Sequence, residues 1–260
     1  MRTAPPDGYT LLLATCAMIA IYPWVYRNLN YDPLKDFMHI VNAASFELAM
    51  NAHPGVQANN LKEFIDWAKS QEGKLSFASY GQGTPSHFLG EMLNQAAGLH
   101  MTHVPHRGSP PARQDLTGGQ IPVFFDTVGG TVMYFRAGRA KVYATSGLKR
   151  SPFLPDVPTF VELGYKDMIA SAWFAFVVPR GLPEAVAQKL NQAFNRAIAS
   201  REVRQQFLAN GMYPLGGTSQ ELFATIKSDM ARWEKAVKAS GFQAQRLSLP
   251  PKEKARRAPA

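Results

Sequence analysis

Lys74-Leu75-Ser76-Phe77-Ala78-Ser79-Tyr80-Gly81-Gln82-Gly83-Thr84-Pro85-Ser86-His87-Phe88-Leu89 runs on to Gly98, and Met101-Thr102-His103-Val104-Pro105-His106-Arg107-Gly108 follows. Leu75 to Ser79 is short, largely apolar and bounded by turn formers, as a buried strand is. Gly81 and Gly83 allow a tight turn, Thr84 offers an N-cap, and Pro85 fits the first helical position. Phe88, Leu89, Met92, Leu93 and Ala96 share one face at helical spacing, and Gly98 is a natural stop. Met101 to Pro105 supplies a second strand. The stretch is a strand, helix and strand whose glycine loop opens a helix N-terminus. Such a loop either seats an anion on free N–H groups or only shapes the turn.

Working outward in both directions, strands and helices alternate. Gly8 to Thr15 reads as a strand covered on both faces. Tyr22, Trp24 and Tyr26 suit packing residues on a short helix and loop. Ile40 to Asn51 is a strand, and Asn60 caps a helix with an apolar face at Leu61, Phe64, Ile65 and Ala68. Gly108-Ser109-Pro110-Pro111 starts a helix that Gly118-Gly119 ends. Ile121 to Asp126 and Ala140 to Ser146 are strands flanking a short helix over Thr131 to Ala137. Prolines at 152, 155 and 158 stiffen the loop 151–160. Ser171 to Pro179 is a further strand. The remainder reads as helical: Leu182-Pro183-Glu184 to about Ser200, Glu202 to Asn210, and a helix opened by the capping box Thr218-Ser219-Gln220-Glu221. The alternation predicts an α/β fold with open, mostly parallel sheets.

The 260 residues suffice for one large domain or two smaller ones, and 46% hydrophobic with 18% charged residues fits a globular chain. The formal charge is +9. Lys252 to Arg257 holds four basic residues and one acidic, and the other basic residues are scattered, so the pattern is not that of a nucleic-acid binder. A general electrostatic attraction of anionic solutes is the milder inference from the charge, and no nucleic-acid partner is expected. One cysteine, Cys16, excludes an intramolecular disulfide.

Catalytic constellations fail on geometry. Ser86 and His87 diverge by about 100° on a helix, and no Gly-x-Ser-x-Gly elbow occurs. His100 and His103 point to opposite faces of a strand, and His100 and His106 stand roughly 20 Å apart, so no metal site is expected. The next strand ends in His106 rather than an acidic residue, which speaks against a dinucleotide site. No cofactor and no enzymatic activity are expected.

Taken in order, Ala-Pro-Pro-Asp-Gly-Tyr-Thr-Leu-Leu (4–12), Ser-Tyr-Gly-Gln-Gly-Thr-Pro-Ser-His (79–87), His-Val-Pro-His-Arg-Gly-Ser (103–109), Gly-Gly-Gln-Ile-Pro-Val-Phe-Phe-Asp (118–126) and Arg-Ser-Pro-Phe-Leu-Pro-Asp-Val-Pro-Thr (150–159) closely resemble the substrate-binding proteins of tripartite tricarboxylate transporters, the Bug family. The resemblance runs from Ala4 to about Gly241. It implies a two-domain, periplasmic-binding-protein-like clamp of type II joined by two crossing strands. Domain one would be 1–45 plus 172–245, domain two 46–171, and 246–260 a basic tail. It implies a periplasmic protein that captures a small organic anion, a carboxylate, by cleft closure and serves the membrane components of a tripartite tricarboxylate-type transporter. A carboxylate sensor or a non-binding remnant on the same fold is the alternative.

The ligand-binding set that the resemblance implies is Thr15, Phe46, Ser79, Gly81, Gly83, Thr84, His87, His106, Asp126 and Thr127. His106 and Arg107 stand where the family's Pro-Tyr-Lys-Gly has tyrosine and lysine, Thr127 where asparagine is common, and Phe46-Glu47-Leu48 where valine-rich sequence is usual. Asp126 suits an amino or hydroxyl group of a ligand and equally a cap of the following segment. His87 equally suits a helix brace, and Arg107 a solvated strand-end charge. Family members carry an export signal, then a strand, helix and strand before Asp-Gly-Tyr-Thr. Met1 is therefore expected to be internal to a longer reading frame. The first domain is expected to lack that initial strand-helix-strand, and the chain to bind its ligand weakly or not at all.

Overall fold

Strand β2 (Phe37–Ala52) is the spine of the molecule. In the computed structural model, which describes residues 2–71 and 73–247, its two halves serve two different sets of strands. Phe37–Glu47 pairs antiparallel with β7 (Ser171–Pro179), and Asn42–Ser45 also with β8 (Tyr213–Gly216). Leu48–Ala52 pairs antiparallel with β5 (Val123–Thr127), and Ala49–Ala52 with β6 (Lys141–Thr145). Beyond β7 lies β1 (Leu12–Thr15), antiparallel to it. Beyond β5 lie β3 (Ser76–Ser79) and β4 (Thr102–Pro105), in parallel register. The result is two α/β lobes that share β2, with the chain returning along β7.

A strand in two sheets needs apolar side chains on both faces, and Ile40, Val41, Leu48, Ala49 and Met50 are all fully buried. Helix α6 (Glu184–Ala199) covers Ile40, Val41 and Val178 in the first lobe, with Ala187 and Ile198 inward. Helix α8 (Ser219–Ala239) opens with the expected capping box, Thr218 with Glu221, and buries Leu222, Ile226, Trp233 and Val237. In the second lobe α2 (Leu61–Ser70) buries Leu61, Phe64, Ile65 and Ala68 behind its Asn60 cap. Helix α4 (Ser109–Thr117) sets Ala112 and Leu116 on Ala78 and Phe124. A π-helical turn (Ala17–Ile21) and the short α1 (Tyr22–Val25) follow β1, and α5 (Val128–Arg136) follows β5.

The glycine-loop helix α3 (Pro85–Ala97) starts at the Thr84 cap and stops at Gly98 in the left-handed conformation. Its opening residues, Pro85 to Gly90, are buried all round, and it is Ala97, not Ala96, that faces the core. Gly83 sits at φ +72°, and a Cβ there would lie 3.0 Å from Val25 of the first lobe, so glycine permits both the turn and the close approach.

Three expectations are corrected. The sheets are not mostly parallel: five of the seven strand pairings are antiparallel, because β2 runs against β5, β6, β7 and β8. The segment after Pro179 is not all helical. Tyr213-Pro214-Leu215-Gly216 forms β8, whose proline and glycine read locally as a turn and which tertiary pairing with β2 holds extended. The segment Gly8 to Thr15 is not covered on both faces. Only Leu12–Thr15 pairs, on one edge, and Tyr9, Leu11 and Leu13 are exposed. The expected tail lies, from residue 248 on, outside the described residues.

Candidate functional site

Three helices of the second lobe begin at one cavity of about 350 Å3 between the lobes: Thr84 and Pro85 start α3, Gly108 and Ser109 start α4, and Thr127 caps α5. Each start follows from local sequence. Thr84 Oγ1 accepts from the His87 amide (3.4 Å) and donates to Gly81 O (2.6 Å). Gly108 adopts φ +100°, and Pro110-Pro111 follow in the first turn of α4, where a missing N–H costs nothing. Thr127 Oγ1 accepts from the Gly130 amide at 3.1 Å. The first lobe contributes Thr15 at the end of β1, whose Oγ1 accepts from the Met18 amide at 3.2 Å.

The rest of the wall is aromatic. Phe46 of β2 and Phe174 of β7 lie 5.2 Å apart, ring centre to ring centre, and Tyr22, Tyr80 and Trp173 complete it. Trp173 is fixed by its indole N–H, which donates to Asp229 Oδ2 at 2.6 Å; Asp229 in turn pairs with Arg232 at 3.0 Å. Burial raises the Tyr80 phenol well above its ordinary range and pushes the Cys16 thiol up, so both stay neutral. Among the described residues, no side chain lining this cavity is charged. Positive potential there comes from peptide dipoles, worth about 0.3–1 kcal/mol per helix start for an anion, and up to ~2 when partly buried.

Of the expected set, Thr15, Phe46, Thr84 and Thr127 line the cavity. The other six do not line it, and each is placed elsewhere by a specific bond or contact. Ser79 is fully buried, with Oγ 2.7 Å from His103 Nε2 and accepting from the Gly81 amide at 3.2 Å. The Gly83 amide donates to His87 Nδ1 at 3.3 Å. The two glycine amides expected to meet an anion are thus bonded within the loop. His87 faces away from the cleft, stacked on His103 at 3.8 Å with Glu91 3.6 Å from its Nε2. His106 turns to Asp115 of α4 at 2.8 Å.

Asp126, 1% exposed, is hydrogen-bonded within the protein at both oxygens. Its Oδ1 accepts from Ser109 Oγ (2.8 Å) and the Thr127 amide (2.7 Å), and its Oδ2 from Arg113 Nε (2.5 Å). The spacing of Arg113 and Asp126 gave no hint of this pair, since only the packing of α4 on β5 brings them together. Arg113 lines an adjoining compartment of about 490 Å3, beyond Phe46, Thr127 and Phe174. There Gly129 of α5 packs directly against the Asn210 carbonyl and Gly211, in the turn after α7 (Arg201–Ala209). Tyr22, Tyr80, Trp173 and Phe174 also escaped the sequence reading, because an aromatic residue on a strand or loop looks the same whether it faces a core or a cleft.

Among the described residues no group of three or more His, Cys, Asp or Glu side chains is arranged to hold a metal ion, and no helix is long and apolar enough to cross a membrane.

A family profile described as "Tripartite tricarboxylate transporter family receptor" matches residues 1–242. The chain is 30% identical over 236 residues to Protein BugT of Bordetella pertussis, covering 90% of this chain and 72% of that one. Among solved structures it resembles Rpa4515 of R. palustris with adipate (27% identity, TM-score 0.87, 92% of this chain and 80% of that one). It also resembles MatC of Rhodopseudomonas palustris with bound malate (30% identity, TM-score 0.81, 91% and 81%).

Proposed function

The chain belongs to the tripartite tricarboxylate transporter receptor family, and on that premise we propose that it is a periplasmic solute-binding protein that captures a small organic carboxylate between its lobes. One observation carries this: three helix N-termini converge on a cavity whose lining holds no charged side chain to compete for the ligand. A carboxylate placed there meets first-turn amides and the hydroxyls of Thr15 and Thr127, whose oxygens accept from backbone amides and leave their protons to donate. Charge-assisted hydrogen bonds contribute roughly 1.5–3 kcal/mol each. Three or four of them, less the cost of ordering the ligand, amount to micromolar affinity, near −8 kcal/mol, which is tighter than the weak or absent binding expected from the sequence. The structural relatives with adipate and malate support the ligand class.

The lobes of this reading are 1–45 plus 172–245 and 46–171, with the chain crossing on β2 and at the start of β7. The ligand bridges both lobes only when they are shut, so its binding shifts the open–closed population, and the closed form is what the membrane components of the transporter receive. The reading is one of binding alone: Thr15, Thr84 and Thr127 are tied into local turns and helix caps, and the one hydroxyl beside a carboxylate, Ser109, meets an Asp126 already paired with Arg113.

A thermal-shift screen of mono-, di- and tricarboxylates at matched ionic strength tests the proposal, with mass spectrometry of the recovered ligand. At least one acid raises the midpoint in a saturable way and is recovered unchanged. A screen in which no acid shifts the midpoint, or in which the acid is converted, overturns it.

A further inference from the structure

Resting on the carboxylate reading above, we infer that the cavity selects an acid with one carboxylate, a flat aromatic body and no ammonium group. The wall is the first ground. Aromatic rings from both lobes, Tyr22, Phe46, Tyr80, Trp173 and Phe174, enclose about 350 Å3, the low end of the range for small-molecule sites and room for a single-ring ligand. Flat rings against flat rings gain both apolar burial and favourable stacked or edge-on geometry. An aliphatic dicarboxylate would instead bury its second charge against this wall, where the lining has no cation to meet it. The guanidinium of Arg113 belongs to the adjoining compartment, past the Phe46–Phe174 pair.

Asp126 is the second ground. A buried carboxylate beside the cleft would ordinarily receive a ligand's ammonium group. Here all of its bonding is internal: Ser109, the Thr127 amide and the Arg113 guanidinium already occupy both oxygens. An ammonium group in this cavity would be desolvated without a carboxylate partner. Burying an ammonium ion with no partner to replace its water is far more costly than leaving a methylene's worth of space unfilled. The Arg113–Asp126 pair therefore acts as a specificity filter without touching the ligand.

The test is calorimetry, with Trp173 fluorescence as a second readout, on the full chain against benzoate, phenylacetate, adipate, malate and phenylalanine at constant ionic strength. Phenylacetate or benzoate binds at least tenfold tighter than adipate and malate, and phenylalanine at least a hundredfold weaker than phenylacetate. The variant Phe174→Leu, which keeps an apolar side chain but no ring, narrows the preference for the aryl acid to about threefold or less. Adipate or malate matching the aryl acids, phenylalanine matching phenylacetate, or an unchanged preference in Phe174→Leu overturns this inference and leaves the carboxylate function standing. Failure of every acid to bind overturns both.

Discussion

Replacing Gly129 with alanine should weaken ligand binding by holding the lobes apart, without unfolding either one. Gly129 is the second residue of α5, so alanine suits its backbone and improves helix propensity by about 1 kcal/mol. Its Cβ, however, would be driven into the Asn210 carbonyl, backbone that belongs to the turn before β8 on the first lobe. Backbone cannot rotate aside as a flexible side chain can. The collision is relieved by opening the cleft, so the cost of overpacking, about 1–3 kcal/mol, falls on the closed form. Converted at about 1.4 kcal/mol per decade, that is a loss of roughly 5- to 150-fold in affinity. Calorimetry gives the affinity and small-angle scattering the radius of gyration. The expected outcome is weaker binding, a larger radius and an unchanged or slightly raised melting midpoint. Unchanged affinity with an unchanged radius would refute the reasoning. A large fall in the midpoint would refute it too, since the contact would then belong to the fold rather than to closure.

Other expected outcomes follow from side chains near the site. Arg113→Ala leaves Asp126, 1% exposed, as an uncompensated buried carboxylate and should cost about 3 kcal/mol in urea unfolding; a loss below about 1 kcal/mol would contradict the pair's structural weight. Gly90→Ala places a Cβ against the Phe77 ring, where α3 lies on β3, and should destabilise by about 1–3 kcal/mol; an unchanged midpoint would contradict the close packing. Burial, together with His87 and His106, lowers the His103 imidazole from 6.5 to about 3. The unfolded chain takes up that proton near pH 6.5 and the native protein only near 3. This contribution is therefore complete above pH 6.5 and is lost, at about 1.4 kcal/mol per pH unit, as pH falls towards 3. Burial raises Asp229 and Glu47, and that effect has the opposite sign, stabilising below their unfolded values and fading as pH rises through the folded ones. His103→Gln should flatten the slope of unfolding free energy between pH 6.5 and 4, and an identical slope would contradict the assignment.

Much of the fold was legible because local chemistry and tertiary structure agree. Thr84-Pro85, Asn60 and Thr218 cap helices where their sequences say they should, and Ser171–Pro179 has the expected bounds. β8 was hidden because a proline and a glycine write a turn that only pairing with β2 overrules. The predominance of antiparallel pairing was hidden too, because alternation of strands and helices does not say which strand is shared. At the site, sequence located the loops and missed the direction of their side chains. Ser79, His87, His106 and Asp126 sit near the cleft in sequence terms, yet each is turned to a partner that the chain brings in from elsewhere. The glycine loop's contribution is to place Thr84 and the start of α3, its own glycine amides being bonded internally.

The most direct test of the central claim, that helix N-termini hold the ligand through its negative charge, compares one acid with its neutral amide. Adipate against adipamide, and phenylacetate against phenylacetamide, differ little in shape and wholly in charge. Titrated into the chain at constant ionic strength, the acid of at least one pair should bind with micromolar affinity and its amide at least a hundredfold more weakly. Equal affinity for acid and amide in both pairs would mean that shape, not charge, fills the cleft, and would contradict the account.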